Sequence, residues 1–513
     1  MLRHAPAAGS VAALALAGCV LVSCVADADE MPDTAVSDTA VSDTAPADAA
    51  PADSDTWALP NRDLWNGRAN PDTRIGSATI DGLAERWRLE LAGRPLGSAS
   101  STPIVVDDTV YYGDTGASVY ALDRTTGELR WQVDGAGGGP GPNGVVVNDG
   151  VVYASDDGTG IRALSADDGA ERWSTDLVDA GGLVNIAPVV ADGLVLAATS
   201  ASGEPGARGT LFALDADTGA IVWSFDTIVS DDLWGHPEIN SGGGAWFPPA
   251  VDLAAGRTYW GTSNPYPFPG APGYPNGSSR PGDNRWTQST LALDLATGEL
   301  AWGHQAVPHD LFDRDAVLTA LADTDDDGAP DVVIGTGKHA RVLGLSTDGE
   351  LLWDTPIGLH DNDDVTEFDG ELVVLPGMAG GVVTPPTVAD GVVYVVVANV
   401  ASPYAGPDDP AVGLEFDAHD SDLVALDAAT GEILWERSVP GDAFGGATVA
   451  SDLVLTSTLD GLLLAHDRAD GREVWRLQLP AGINGWPAVT DDELIVPVAW
   501  TEPPLLVSLA LPD

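Results

Sequence analysis

Residues 242–315 hold three kinds of side chain that together could support metal-assisted redox chemistry on a flat cofactor. Trp246, in GGGAWFPPAVD, offers an indole slab that a planar ring system could cover, gaining area burial and π contact. Asn264 follows a turn in GTSNP and carries an amide oxygen. Asp313 and Asp315, in PHDLFDRD, are two residues apart, so an extended segment can turn both carboxylates to the same side. Carboxylate and amide oxygens suit hard cations, and a carboxylate so placed can also act as a general base. Downstream, Lys338 is the single lysine among 22 basic residues, all the others being Arg. One ammonium kept in a chain that otherwise uses guanidinium suits a point-charge role. A second acidic cluster, Asp323, Asp325, Asp327 and Asp331 around Gly328, matches the start of a calcium loop. Ile334 stands where an EF-hand would place its bidentate Glu, so a structural calcium site and an acidic hairpin turn are both open readings.

These residues need a frame, and internal repeats supply it. VYALDRTTGELRW (119–131), LFALDADTGAIVW (211–223), TLALDLATGELAW (290–302) and LVALDAATGEILW (423–435) share one pattern: a strand, an Asp/Thr/Gly turn, and a strand ending in Trp. It recurs with variations at 161–173, 342–353 and 463–475. Apolar strand pairs split by turns precede most copies, making four short antiparallel strands per unit, which is a propeller blade. An eighth unit is split: Trp87 lacks an upstream half, and LLVSLALPD at 505–513 lacks a downstream Trp. Joining the two predicts an all-β, eight-bladed propeller of four-stranded blades, closed by both ends of the chain and left without a free edge. Trp87, Trp131, Trp173, Trp223, Trp302, Trp353, Trp435 and Trp475 are expected to pack between blades. Sixty Gly and 37 Pro agree with many tight turns, and the Pro/Gly-rich stretches 264–285 and 401–420 are expected to cover one face.

With these blades as frame, the ordered segments resemble the quinoprotein alcohol dehydrogenases, eight-bladed propellers that use pyrroloquinoline quinone (PQQ) and a bound calcium or lanthanide ion. The resemblance implies metal ligation by Glu204, in TSASGEPGARG, and by Asn264, Asp313 and Asp315, the last where lanthanide-using members carry an extra acid. It implies a catalytic role for Asp313, a quinone stacked on Trp246, and Lys338 as the basic residue beside the quinone oxygens. An alcohol substrate and a soluble cytochrome c-type electron acceptor follow from it. The chain departs from the pattern in several places. Phe312 replaces the usual Trp, GGGPGPNGV (137–145) stands where an adjacent cysteine pair is common, Ser100 and Asn143 stand near expected Glu and Arg positions, and no CxxCH is present. The repeats alone also resemble those of non-catalytic propeller lipoproteins that act as scaffolds in outer-membrane protein assembly.

Residues 1–24 read as a lipoprotein-type signal peptide: Arg3 and His4, an apolar run, then two lipobox-like matches ending at Cys19 and Cys24. An Ala/Asp/Ser/Thr/Pro tract over 25–56 lacks large apolar groups and is expected to be a disordered tether. The propeller is expected over 57–513, and a membrane is expected to be met only through the N-terminal anchor. A net charge of −56 repels nucleic acid and anionic lipid.

Overall fold

The computed structural model describes residues 53–513 except 92–99, 136–141, 143, 157, 179–181, 202, 410–411, 500–502 and 513. The expected signal peptide, with Cys19 and Cys24, and nearly all of the expected tether lie outside these residues. Among the described residues no helix is long and apolar enough to cross a membrane.

Eight blades of four antiparallel strands form a propeller, as the repeats predict, and Ala69–Asn70 adds a fifth, parallel strand to the blade that begins at Thr448–Ala450. In the fifth blade, for example, Ala250–Asp252 pairs with Arg257–Gly261, then Ser289–Asp294, then Leu300–Gln305. The three inner strands are buried on both faces and are correspondingly apolar. The outer strand is half wet: Ile221 and Val222 are 48% and 49% exposed beside Trp223 at 7%. A register shift precedes the Trp of this strand, with Ala213 opposite Trp223 but Leu214 opposite Ile221. Such a bulge turns the indole out of the alternation and toward the next blade.

There the indole N–H groups of Trp87, Trp131, Trp173, Trp223, Trp302, Trp353 and Trp435 donate to main-chain carbonyls, as from Trp223 to Leu295 at 2.9 Å and from Trp302 to Thr347 at 2.8 Å. The ring lies flat on the glycine of the neighbouring turn. A Cβ on Gly349, whose φ is +87°, would fall 2.6 Å from the Trp302 ring. Gly349→Ala is therefore expected to destabilise by about 3 kcal/mol, from strain and overpacking together, read by denaturant unfolding. Unfolding indistinguishable from the parent would contradict the docking argument.

The split blade closes as expected. Ala84–Glu90 pairs antiparallel with Leu505–Ala510, Trp87 opposite Ser508, and Leu505–Ala510 pairs with Glu493–Val498. The turn that would join the two halves is cut, so an ionic network ties this corner. Glu493 is fully buried, accepts from Ser508 Oγ, and meets Arg124 Nε at 2.9 Å; Arg124 also reaches Asp55 at 2.7 Å. Asp55 thus lies against the propeller although the tether is expected to run to residue 56.

One feature is absent from the repeat pattern. Residues 57–70 coil across the inner strands of seven blades. Trp57 bonds Val105, while the carbonyls of Ala58, Leu64, Trp65, Gly67 and Arg68 accept from Val147, Val251, Leu321, Val388 and Val449. Asn70 then reaches Val489 O through its side chain at 2.9 Å. Left-handed φ at Arg62, Asn66 and Arg68 bends the segment round the axis. Arg68, fully buried, donates to Pro60, Asn61, Thr102, Thr448 and Pro487 oxygens and lies 5.5 Å from the Trp57 ring.

Candidate active site

The segments that carry the candidate residues lead into, or leave, the strands of blades five and six. Trp246 precedes the inner strand Ala250–Asp252, and Asp313 and Asp315 precede Leu318–Ala322. Asn264 follows Arg257–Gly261, and Lys338 sits in the turn between Val332–Thr336 and Arg341–Ser346. A bridge between Thr262 and Ala316 draws the Asn264 and Asp315 segments together.

Lys338 Nζ lies 2.8 Å from Asp313 Oδ2 and 2.7 Å from Asp315 Oδ2. The same ammonium stands 5.7 Å from the centre of the Trp246 ring, within cation–π range. Asp315 is 2% exposed, and its Oδ1 accepts the Asn264 backbone N–H at 2.7 Å. It is therefore a member of the site and not one more acid facing solvent. The Asn264 Nδ2 bonds Pro265 O at 3.0 Å, leaving Oδ1 without a hydrogen-bond partner among the described residues. Trp246 continues into a column of rings, with Phe247 at 4.6 Å and then Trp486 at 5.5 Å. Arg68 stands 6.0 Å from Trp486, at the far end of that column.

Asp313 holds a left-handed φ of 62°. The cause is Asp310, 1% exposed, whose Oδ1 and Oδ2 accept the N–H groups of Phe312 and Arg314, both at 3.0 Å. Phe312 turns away into a cluster with Phe368 and Tyr404, and Tyr404 donates to Phe312 O at 3.3 Å. Burial pushes the Asp313 carboxyl up to about 8; Lys338 opposes that and Asp315 adds to it. Burial works against the charge of Lys338, but Asp313 and Asp315 outweigh it and hold the ammonium above its ordinary value. One cation cannot neutralise two carboxylates, and the excess falls on Asp313.

Asp313, Asp315, Lys338, Asn264 and Trp246 are thus brought together. Glu204 is not in that cluster: it forms no group with Asp313 and Asp315 whose carboxylate oxygens lie within 4.8 Å of one another. It lies half-buried in a turn and, after burial, contributes to raising the Tyr266 phenol. Asp323, Asp325 and Asp327 do offer oxygens within 4.8 Å of one another. Asp331 is engaged elsewhere, accepting from the backbone N–H of Thr324 at 2.8 Å and from its hydroxyl. Asp323 bonds the Gly328 N–H at 2.8 Å, as an acidic hairpin turn does. Asn143 lies outside the described residues. Sequence reasoning missed Asp310 and Phe247, although Asp310 belongs to an Asp-x-x-Asp-x-Asp run whose first member could have been read as a turn former.

Two buried carboxylates and a free amide oxygen are a hard-oxygen set, which fits a calcium or lanthanide ion. An indole face with an ammonium beside it fits an electron-poor planar group that carries carbonyl or anionic oxygens.

A family model described as glucose/ethanol/alcohol dehydrogenase, beta-propeller domain, matches residues 178–357. Another, described as outer membrane protein assembly factor BamB, matches 72–136, 115–233 and 419–499. Quinohemoprotein alcohol dehydrogenase ADH IIB of Pseudomonas putida is 25% identical over 84% of this chain and 71% of its own. Methanol dehydrogenase (cytochrome c) subunit 1 of Methylobacterium organophilum is 26% identical over 60% of this chain, which spans only 59% of that relative's length. In three dimensions a europium-containing methanol dehydrogenase superposes with a TM-score of 0.77 at 21% identity, covering 90% of this chain and 99% of that one. Blade architecture, split closure and these matches together make the chain an eight-bladed propeller similar to the quinoprotein alcohol dehydrogenases.

Proposed function

We propose that the protein is an exported dehydrogenase that oxidises an alcohol with PQQ and a bound calcium or lanthanide ion. The observation that carries this reading is the Lys338 ammonium held between Asp313 and Asp315, 5.7 Å above the Trp246 ring. Asp313 removes the hydroxyl proton; burial raises its carboxyl in the metal-free protein, and a bound cation would bring it back toward the ionised form that a base needs. Lys338 steadies negative charge developing on oxygen in a site from which water is largely excluded. Trp246 holds the flat face, and the ring column behind it keeps that face fixed. When bound, the quinone supplies the hydride acceptor and the metal the Lewis acid that polarises it. Asn264, Asp313 and Asp315 would hold the ion, with Glu204 as a fourth ligand from the facing loop. The alcohol leaves as the carbonyl compound, having lost a proton and a hydride, and the electrons pass to a separate soluble cytochrome c-type protein. Lipidation at Cys19 or Cys24 would make the exported enzyme a periplasmic or cell-surface lipoprotein.

Reconstituting purified protein with PQQ and either calcium or lanthanum should give alcohol-dependent dye reduction. Folded protein that reduces no dye with either ion would favour the second reading, a non-catalytic assembly scaffold, which the BamB-type match over three stretches supports. Lys338→Arg should leave melting unchanged yet lower turnover about tenfold or more, because a broad fork cannot replace a compact donor between two carboxylates. Parental turnover in that variant would make the lysine incidental.

A further inference from the structure

Three separate loops carry the candidate ligands, and something must hold them in register. Glu204 lies on the second-to-third strand excursion of blade four, Asn264 leads the matching excursion of blade five, and Asp313 and Asp315 lead into blade six. Main-chain bonds join them in part. Gly243 donates to Asn264 O at 3.1 Å, and Gly209 donates to Gly242 O at 2.9 Å.

Most of the remaining joins pass through one short stretch, Ser279–Arg280. Arg280 is fully buried, and its guanidinium bonds neutral oxygens only. Nε and Nη2 both reach Pro267 O, at 3.2 and 3.0 Å, three residues beyond Asn264. Nη2 also donates to Asp310 O, three residues before Asp313, in the residue whose carboxylate sets the Asp313 turn. Nη1 takes Asn284 Oδ1 at 2.7 Å, which closes the stretch on itself. Next door, Ser279 donates its hydroxyl to Asn240 Oδ1 at 2.6 Å, and Asn240 returns Nδ2 to Ser279 O at 2.8 Å. Asn240 O accepts the Gly206 N–H at 3.0 Å, two residues beyond Glu204.

A fully buried guanidinium whose hydrogen bonds all go to neutral oxygens is expensive to bury: burial lowers its pKa, and the nearby Asp310 charge opposes that only in part. The same main-chain carbonyls could be left to water if the loops were free to reach it. We infer that Ser279 and Arg280 are positioning residues, a clamp that fixes the Glu204, Asn264 and Asp313–Asp315 loops relative to one another. This rests on the reading of those residues as a metal site. Arg fits the role where Lys does not, because a planar fork can serve two carbonyls in different directions at once while an ammonium on one stem cannot. Residues that orient metal ligands without touching the metal commonly change affinity by about 10–100-fold when replaced.

The test reads terbium alone, through tryptophan-sensitised luminescence on the full chain without quinone, so turnover is not involved. The signal lost in Asp315→Ala defines the site and separates it from ion held by the Asp323 cluster. Arg280→Lys is expected to raise the terbium Kd of that signal about 10–100-fold. Arg68→Lys, at another buried guanidinium bonded to neutral oxygens, is expected to lower the melting temperature while leaving the Kd within about twofold. Ser279→Ala removes one hydroxyl and should fold in any case; its Kd is expected to rise about three- to tenfold. Unchanged affinity in both Arg280→Lys and Ser279→Ala overturns the clamp, as does an equal rise in Arg68→Lys. If Arg280→Lys fails to fold, Ser279→Ala decides. No Asp315-dependent signal in the parent overturns the metal reading itself, and the clamp with it.

Discussion

Asp313→Asn is expected to lower alcohol-dependent turnover about 10³-fold, within the range that loss of a positioned general base produces. The exchange keeps the shape of the side chain and leaves the Asp310-bonded turn intact, so the loss should come without a large change in folding. It removes two things at once: the group that takes the hydroxyl proton and one anionic ligand. The pH dependence separates them. A base must be ionised, so the parent's kcat/KM should climb with pH along an acid limb that ends at or below about pH 8, since a bound cation lowers the carboxyl from its metal-free position. Metal affinity should tighten in the same direction, because the ligand must lose its proton first. Stability runs the other way. Asp313 in the folded, metal-free protein sits near 8, above its ordinary 3.8. The native state therefore holds that proton more tightly than the unfolded chain does. The stabilisation is full below about pH 4 and is lost as pH rises through about 8. Asp313→Asn should flatten that part of the melting profile, and an identical profile in the variant would contradict the assignment.

Asp315→Ala belongs to the same experiment. On the proposed ligand set, Glu204, Asp313 and Asp315 would match a trivalent ion in charge if the Lys338 ammonium, which pairs with Asp313 and Asp315 here, turned instead to the quinone oxygens. Removing Asp315 should shift the preference from lanthanum toward calcium, read as the ratio of reconstituted turnover with the two ions. A parent enzyme more active with calcium would overturn the lanthanide preference.

Deleting Leu505–Asp513 is the second large effect, and it should abolish the cooperative melt. Leu505, Leu506, Val507 and Leu509 are 8%, 0%, 0% and 2% exposed, in a strand buried along its whole length. At roughly 1.5–3 kcal/mol for each such side chain, their loss removes about 6–12 kcal/mol. That is comparable to the entire net stability of a typical domain, about 5–15 kcal/mol. The same deletion leaves Ala84–Glu90 and Glu493–Val498 as facing open edges, with the buried carboxylate of Glu493 deprived of Ser508. Calorimetry of the truncated chain should show a broad transition or none, with light scattering rising. A sharp melt at the parental temperature would mean that the ring does not depend on this strand.

The blades were legible in the sequence because each is a local object. Strand, Asp-Thr-Gly turn, strand and Trp lie within about a dozen residues, and the indole's partner is the same glycine one repeat later. A periodic pattern states such contacts outright, and even the split eighth blade could be completed by asking which halves were missing. The carboxylate pair, the slab residue and the single lysine were also legible as residue types. Their meeting was not, since Lys338 is 23 residues beyond Asp315 and the 2.7 Å contact is made only when the inner turn of blade six folds back. Tertiary structure alone decided that Asp315 faces inward, that Glu204 stands apart from the pair, and that residues 57–70 leave the blade pattern to brace the axis. It also decided the work of Arg68, Asp310 and Arg280. These side chains bond mainly to backbone groups and small hydroxyls of distant segments. Every residue has a backbone, so such partnerships leave no mark of residue type or spacing for a sequence to show.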